Sequence, residues 1–133
     1  MMAASLLPYS PMVIDHFDHP RNSGRLAPAN DVVEAEAGSI AQGALFHLSA
    51  RFERDALVDV RFETYGCPHC VAAASWLTQR LTGATADDLA RWEWREAADM
   101  LEVPAEKRGH LLTLEDTVRE LASAWRSRMQ NRD

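Results

Sequence analysis

Alternating apolar and polar residues in the first half of the chain predict three short β-strands. In the second of them, apolar side chains face one way, whereas His47, Ser49 and Arg51 face the other. In the third, Val58 is the first of three alternating apolar residues. We expect the strands to form an antiparallel meander, with one face buried and the other exposed to solvent or to a partner. The predicted strands are residues 31–37, 45–52 and 57–65.

Helical signals flank the predicted sheet. Ser10 and Pro11 suit the N-cap and the first position of an N-terminal helix, with Val13, Ile14 and Phe17 as its apolar stripe. The chain after the third strand also favours helices: residues 71–81, a short helix capped by Thr85, a segment through Leu101, and residues 109–129. Helices over one face of a small antiparallel sheet make an α+β sandwich. The length of 133 residues fits a single domain, residues 1–133.

Composition narrows the classes of function. With 47% hydrophobic and 26% charged residues, the chain resembles ordinary soluble globular proteins. Its net charge of −6 argues against nucleic-acid binding, which needs a basic surface. The sequence contains no apolar run long enough to span a membrane, and residues 1–7 lack the basic start of a signal peptide. We therefore expect a cytoplasmic protein that does not bind membranes.

Two cysteines, Cys67 and Cys70, lie where the third strand is expected to pass into a helix. Backbone amides at a helix start stabilise a thiolate and lower the pKa of the thiol. In a cytosolic protein, two cysteines at this spacing favour a metal or redox site over a structural disulfide.

A metal site at these cysteines needs further ligands. Two thiolates with an imidazole suit Zn²⁺ or iron. His110 is the best distant candidate because it follows a turn and begins a helix, although an exposed helix-start residue is the alternative. His69 lies between the two cysteines. The other three histidines are expected at the surface or in caps: His16, His19 and His47. The charged pair Glu115–Asp116 is expected on a solvated helix face.

The sequence CPHC at residues 67–70 also matches thiol oxidants of the thioredoxin superfamily. A thioredoxin fold needs further strands downstream, one of them beginning with a cis-proline. Here the chain beyond residue 70 favours helices, and Pro104 precedes one. The pattern therefore excludes that fold but leaves thiol redox chemistry on another fold open.

Three segments resemble the NifU/IscU family of iron–sulfur cluster scaffolds. Residues 9–26, YSPMVIDHFDHPRNSGRL, are similar to its opening signature. Residues 62–67, FETYGC, resemble the strand that leads to a cluster cysteine. Residues 101–107, LEVPAEK, followed by LED at 114–116, resemble the region around the last cysteine. Together they cover nearly the whole chain in the family's order, and the resemblance implies the NifU N-terminal/SufE-like sandwich.

The resemblance implies a non-enzymatic role. Members of the family take sulfur from a cysteine desulfurase and iron from a donor. They build an iron–sulfur cluster on three cysteines and pass it to apo-protein acceptors with the help of a chaperone. Several relatives bind Zn²⁺ at the same place.

The chain departs from the family at the implied ligand positions. Gln42 stands in place of the first cysteine, and Ala44 replaces an aspartate that makes the cluster labile. Cys67 keeps the second cysteine, His110 stands at the third, and Cys70 is an additional thiol.

Three hypotheses follow from the altered ligand set. The first is a scaffold-like protein that binds Zn, Fe or an Fe–S cluster through Cys67, Cys70 and His110, with His69, Gln42, water or a partner's residue as the fourth ligand. The second is a sulfur or thiol-redox carrier that uses Cys67 and Cys70 without metal. The third is an interaction module of the assembly machinery that has lost the chemistry.

Overall fold

The sheet and helices predicted from the sequence are present in the computed structural model, which describes residues 9–131. The α+β class with a three-stranded antiparallel sheet is confirmed. Among the described residues, no helix is long and apolar enough to span a bilayer. In chain order the elements are α1 Pro11–Asp18, β1 Val32–Ser39, β2 Ala44–Glu53, β3 Ala56–Gly66, α2 Pro68–Arg80, α3 Ala86–Ala90, α4 Trp94–Leu101, the 3₁₀ turn Ala105–Lys107 and α5 Arg108–Gln130.

The strands pair in the order β1–β2–β3, with one irregularity near the turn between β2 and β3. Arg51 pairs with Asp59, but Phe52 pairs with Leu57, so Val58 is the extra residue of a β-bulge. The bulge places Leu57 in the core and leaves Val58 only partly buried. The prediction that Val58 begins the buried face was therefore wrong, because strict alternation does not anticipate a bulge.

Helices α2 and α5 cover the apolar face of the sheet and also contact each other. Phe46, Leu48 and Ala50 of β2 are completely buried under them. The ring of Phe52 stacks on that of Trp125 in α5, with 4.5 Å between the ring centroids. Burying a large apolar side chain stabilises a fold by about 1.5–3 kcal/mol. This packing fixes where the first turns of α2 and α5 lie.

The opposite face of the sheet is more covered than the alternation predicts. The segment after α1 runs along the edge of β3, where the N–H of Gly24 donates to the carbonyl of Phe62 at 2.7 Å. It then crosses the sheet, and the N–H of Leu26 donates to Oγ of Ser49 at 2.9 Å. Ser49 and His47 are buried. The expectation of solvent exposure was wrong at these two positions, because local alternation does not reveal a crossing segment.

Helix α1 presents a different face to the core from the one predicted. Val13 is completely buried, but Phe17 is 44% exposed. His16 is buried instead, and its Nδ1 lies 2.7 Å from Oγ of Ser75 in α2. The same hydroxyl accepts the N–H of Arg21 at 2.9 Å. The predictions for Phe17 and His16 were therefore wrong, because a polar contact with α2 sets the rotation of α1.

Several helix ends agree with the sequence. Ser10 caps α1, Pro11 is its first residue, and Thr85 forms a capping box at the start of α3. Glu115 was expected on a solvated helix face, but its carboxylate accepts the N–H of Trp94 at 2.9 Å. This expectation was wrong, because Glu115 satisfies a free amide at the beginning of α4.

The buried position of His16 predicts a pH-dependent stability. Its pKa is lowered first by burial and then by the positive charge of Arg21, while Asp15 opposes the shift. The folded protein therefore favours neutral His16, whereas the unfolded chain binds a proton below about pH 6.5. The contribution of His16 to stability is present above that pH and is lost as the pH falls below it.

We expect the free energy of unfolding, measured with urea, to fall between pH 7.5 and pH 5.5. The fall should be smaller in His16→Gln, whose side chain does not titrate. An equal fall in both proteins would contradict the role assigned to His16.

Candidate metal centre

The two cysteines occupy the junction between β3 and α2. β3 ends at Gly66, Cys67 is the N-cap, and α2 begins at Pro68, three residues earlier than the predicted helix 71–81. The N–H of Cys70 donates to the carbonyl of Cys67 at 2.9 Å. This turn brings both sulfur atoms to the same side of the helix start. Cys70 is completely buried and Cys67 is partly exposed.

Gly66 allows the close approach of the chain to the second thiol. A Cβ atom at this position would lie 2.6 Å from Sγ of Cys70 and 3.2 Å from the carbonyl oxygen of Gly43. Such contacts are shorter than van der Waals distances, so either the strand end or the thiol would have to move. The glycine before Cys67 is therefore a packing requirement, which the sequence analysis did not identify.

His110 reaches the cysteines from the first turn of α5. Its Nδ1 lies 3.5 Å from Sγ of Cys70 and 3.7 Å from Sγ of Cys67. The ligand atoms of the three residues all lie within 4.8 Å of one another. The structure thus brings together the three residues that the sequence analysis selected, and their function as ligands stays a prediction.

The two further candidates lie next to this group but outside it. Nδ1 of His69 is 3.9 Å from Sγ of Cys67, and its buried ring packs edge-on against Tyr9. Gln42 is exposed in the turn between β1 and β2. That turn approaches the site through Gly43, where a Cβ atom would lie 4.0 Å from Nε2 of His110.

The other histidines are not part of the group of three among residues 9–131. His16 and His47 are buried and bonded to Ser75 and Glu34, respectively. His19 is exposed after the last residue of α1, as predicted.

The two neighbouring thiols differ in how readily they lose a proton, and Cys70 keeps its proton more strongly than Cys67. The pKa of Cys67 is lowered to about 3, chiefly by a hydrogen bond from the Cys70 thiol, although burial opposes the shift. The backbone N–H of Cys70, His110 and His69 lower it further. The pKa of Cys70 is raised, first by its bond to Cys67 and then by burial, with Lys107 opposing. The helix start invoked from sequence is thus less important than the second thiol.

A comparison with known proteins assigns the chain to a family. The family described as NifU-like N terminal domain matches residues 8–132. The chain belongs to this family. The family is one of scaffold proteins. This agrees with the resemblance of three segments of this sequence to the NifU/IscU scaffolds.

Named relatives agree with this membership, and a solved structure agrees with the fold. The chain is 31% identical over 121 residues to iron sulfur cluster assembly protein 1 of Trachipleistophora hominis, covering 90% of this chain and 88% of that protein. It is 39% identical over 75 residues to the scaffold protein IscU of Aquifex aeolicus, covering 56% of this chain and 48% of that protein. A NifU-like N-terminal domain from Brucella abortus has the same fold, with a TM-score of 0.69 at 16% identity and coverage of 89% and 94%.

The shared proton predicts unequal reactivity of the two thiols. At pH 5.5 we expect iodoacetamide to alkylate Cys67 much faster than Cys70 in reduced, metal-free protein. An ordinary thiol, with a pKa near 8.5, is protonated at this pH. Cys67 keeps its reactive thiolate until the pH falls towards about 3.

Cys70→Ala removes the donor and should slow alkylation of Cys67 at pH 5.5, as mass spectrometry of timed samples would show. Equal rates for the two thiols would contradict this arrangement.

The contact at Gly66 predicts a loss of stability on adding one methyl group. We expect Gly66→Ala to lower the free energy of unfolding by about 1–3 kcal/mol, because overpacking displaces Cys70 or the strand end. Gly109→Ala is a matched control, since a Cβ atom there meets no neighbour within 4 Å. Urea unfolding measures the free energy of unfolding of both variants. Similar values for Gly66→Ala and Gly109→Ala would contradict the prediction, because they would show that the site tolerates the displacement.

Proposed function

We propose that the chain is an iron–sulfur cluster assembly scaffold that binds a thiophilic metal through Cys67, Cys70 and His110. The main support for this proposal is that two sulfur atoms and one imidazole nitrogen lie within 4.8 Å of one another. The proposed role is binding and hand-over of cargo rather than catalysis, and we propose a cytoplasmic location. The cargo is Zn²⁺, iron or an iron–sulfur cluster.

The distances support a tetrahedral ion. With metal–sulfur bonds of about 2.3 Å and metal–nitrogen bonds of about 2.1 Å, tetrahedral angles separate sulfur from nitrogen by about 3.6 Å. The two sulfur–nitrogen distances of 3.7 and 3.5 Å lie on either side of that value. Both sulfur–nitrogen distances are therefore compatible with one tetrahedral ion, which has a fourth position for another ligand.

The donor set favours a single ion over a conventional cluster. Iron–sulfur clusters are usually held by four thiolates, whereas two thiolates with an imidazole are common around Zn²⁺ and also suit iron. The fourth position could take sulfide, water, His69 after a rotation, or a residue of another protein. Family membership supports a cysteine desulfurase as sulfur donor, and apo-proteins and a chaperone as later partners.

Metal content tests the proposal directly. We expect untagged protein purified without oxygen to contain about one equivalent of zinc or iron. Cys67→Ser, Cys70→Ser and His110→Ala should each lose most of this metal, because each removes a ligand. His19→Ala, which replaces an exposed histidine, should keep it.

Elemental analysis measures the metal, and a thiolate-to-iron absorption band would identify iron in the scaffold role. Circular dichroism confirms that each variant is folded. Metal that persists in all three ligand variants, or is absent from the wild type, would overturn the proposal.

A sulfur carrier is the second candidate, favoured by two unbridged thiols with Cys67 partly exposed. In this reaction the thiolate of Cys67 attacks the outer sulfur of a persulfide on the desulfurase. A new sulfur–sulfur bond forms on Cys67, the bond in the donor persulfide breaks, and the donor cysteine leaves as a thiolate.

Alkylation of the protein as purified separates the two candidates. A bound metal protects both thiols, whereas a carrier reacts readily. If the protein is metal-free, has two titratable thiols and accepts no labelled sulfur, neither candidate holds. The remaining hypothesis is then an interaction module of the assembly machinery.

A further inference from the structure

The two thiols at the start of α2 differ in their access to solvent. Cys67 is partly exposed, whereas Cys70 is completely buried. A sulfur donor outside the chain can therefore reach Cys67 but not Cys70. The two sulfur atoms lie within 4.8 Å of each other. A sulfur atom that Cys67 accepts is thus held beside a second thiol that is shielded from solvent.

The backbone between the two cysteines is compatible with a bond between their sulfur atoms. The N–H of Cys70 donates to the carbonyl of Cys67 at 2.9 Å, which is the hydrogen bond of a four-residue turn. The Cα atoms at the ends of such a turn are less than about 7 Å apart. Disulfides bridge Cα atoms that are about 4.4–6.8 Å apart, so this turn spans a distance that a disulfide can close.

The surroundings of Cys67 determine which sulfur atom of a persulfide Cys70 meets. The Cys70 thiol hydrogen-bonds to Sγ of Cys67, and Nδ1 of His110 lies 3.7 Å from the same atom. An added sulfur atom therefore extends from Cys67 towards its exposed side. Exchange between thiols and disulfides depends on which sulfur the attacking group can reach. From its buried position Cys70 faces the inner sulfur, on the side opposite the atom that would leave.

We propose that Cys70 is a resolving thiol, which attacks a persulfide on Cys67 and releases the outer sulfur as hydrosulfide. This inference deepens the sulfur-carrier candidate and rests on it, since Cys67 must first accept sulfur. A sulfur–sulfur bond forms between Cys67 and Cys70, and the bond between Sγ of Cys67 and the outer sulfur breaks. The bonding pair leaves with the outer sulfur, which is reduced, while the sulfur of Cys70 is oxidised to the disulfide level.

The proton of Cys70 balances this step. Cys70 begins as a thiol beside a persulfide anion, and the outer sulfur leaves as hydrosulfide, so one proton moves from Cys70 to the leaving sulfur. Nδ1 of His110 lies 3.5 Å from Sγ of Cys70 and is placed to carry that proton. The release itself therefore needs no oxidant or reductant from outside the chain.

The disulfide left by this step links sulfur release to metal binding. A dithiol reductant must open the bridge before Cys67 can accept sulfur again. Metal ions bind cysteine as the thiolate, so the bridged form cannot hold an ion through both sulfur atoms. Release of sulfide and binding of metal at this site therefore alternate, with reduction by a dithiol between them.

Sulfur loading of the full chain tests the proposal. Reduced, metal-free protein is mixed without oxygen with one equivalent of glutathione persulfide. A pH of about 8.5 ionises half of an ordinary thiol, so Cys67 can load even in a variant that lacks Cys70. A sulfide electrode follows the release, and mass spectrometry of timed samples identifies persulfide and disulfide.

We expect the wild type to release about one equivalent of sulfide and to end as the Cys67–Cys70 disulfide. Cys70→Ala should gain one sulfur atom on Cys67 and release it about 100-fold more slowly, because the neighbouring thiol is missing. Cys67→Ser should gain no sulfur, since its remaining thiol is buried.

The outcomes separate this inference from the carrier on which it rests. If Cys70→Ala gains sulfur but the wild type releases sulfide no faster than this variant, the resolving role is overturned and the carrier stands. If Cys70→Ala gains no sulfur and the wild type releases none, the carrier fails and the inference fails with it. If circular dichroism shows that Cys70→Ala is unfolded, the wild type decides. A disulfide that forms in step with sulfide release supports the inference, and a lasting persulfide overturns it.

Discussion

The ligand group depends on the contact between the first turns of α2 and α5. Cys67 and Cys70 belong to one turn and His110 to the other, 43 and 40 residues further along the chain. The backbone hydrogen bonds within each helix do not join segments so far apart. Leu111, next to His110, and Leu114, about one turn further on, are completely buried, so the hydrophobic effect anchors this end of α5. The geometry of the site is therefore a consequence of the core.

The ligand set that we propose differs from the family pattern that the sequence resembles. In that pattern three cysteines hold a shared cluster, whereas in the proposed set His110 supplies nitrogen and Cys70 supplies a sulfur from within the same helix turn as Cys67. Both sulfur atoms then depend on one backbone turn, and Gly66 keeps that turn close to the strand. A compact set of this kind suits one ion better than two bridged iron atoms. Under the proposed function, the chain keeps the fold of the family but binds a single ion in place of a cluster.

Local patterns in the sequence predict the elements but not the contacts between distant segments. Alternation identified the strands, and Thr85 marked a helix start, because these signals act over a few residues. The burial of His16 and Ser49 arises from partners far along the chain, Ser75 and Leu26. Val58 was misplaced for a similar reason, since only the pairing with β2 shows the bulge. The Cys–Cys–His group was found because its chemistry restricts the candidates.

The segment after α1 has a consequence for association between copies. Its backbone exchanges two hydrogen bonds with Phe62, from Gly24 and to the carbonyl of Asn22, and so occupies the outer edge of β3 at that residue. An unpaired strand edge is a template for another strand. Because the N–H and C=O of Phe62 already have partners within the chain, a strand of a second copy has no free backbone groups to pair with at this point of the edge.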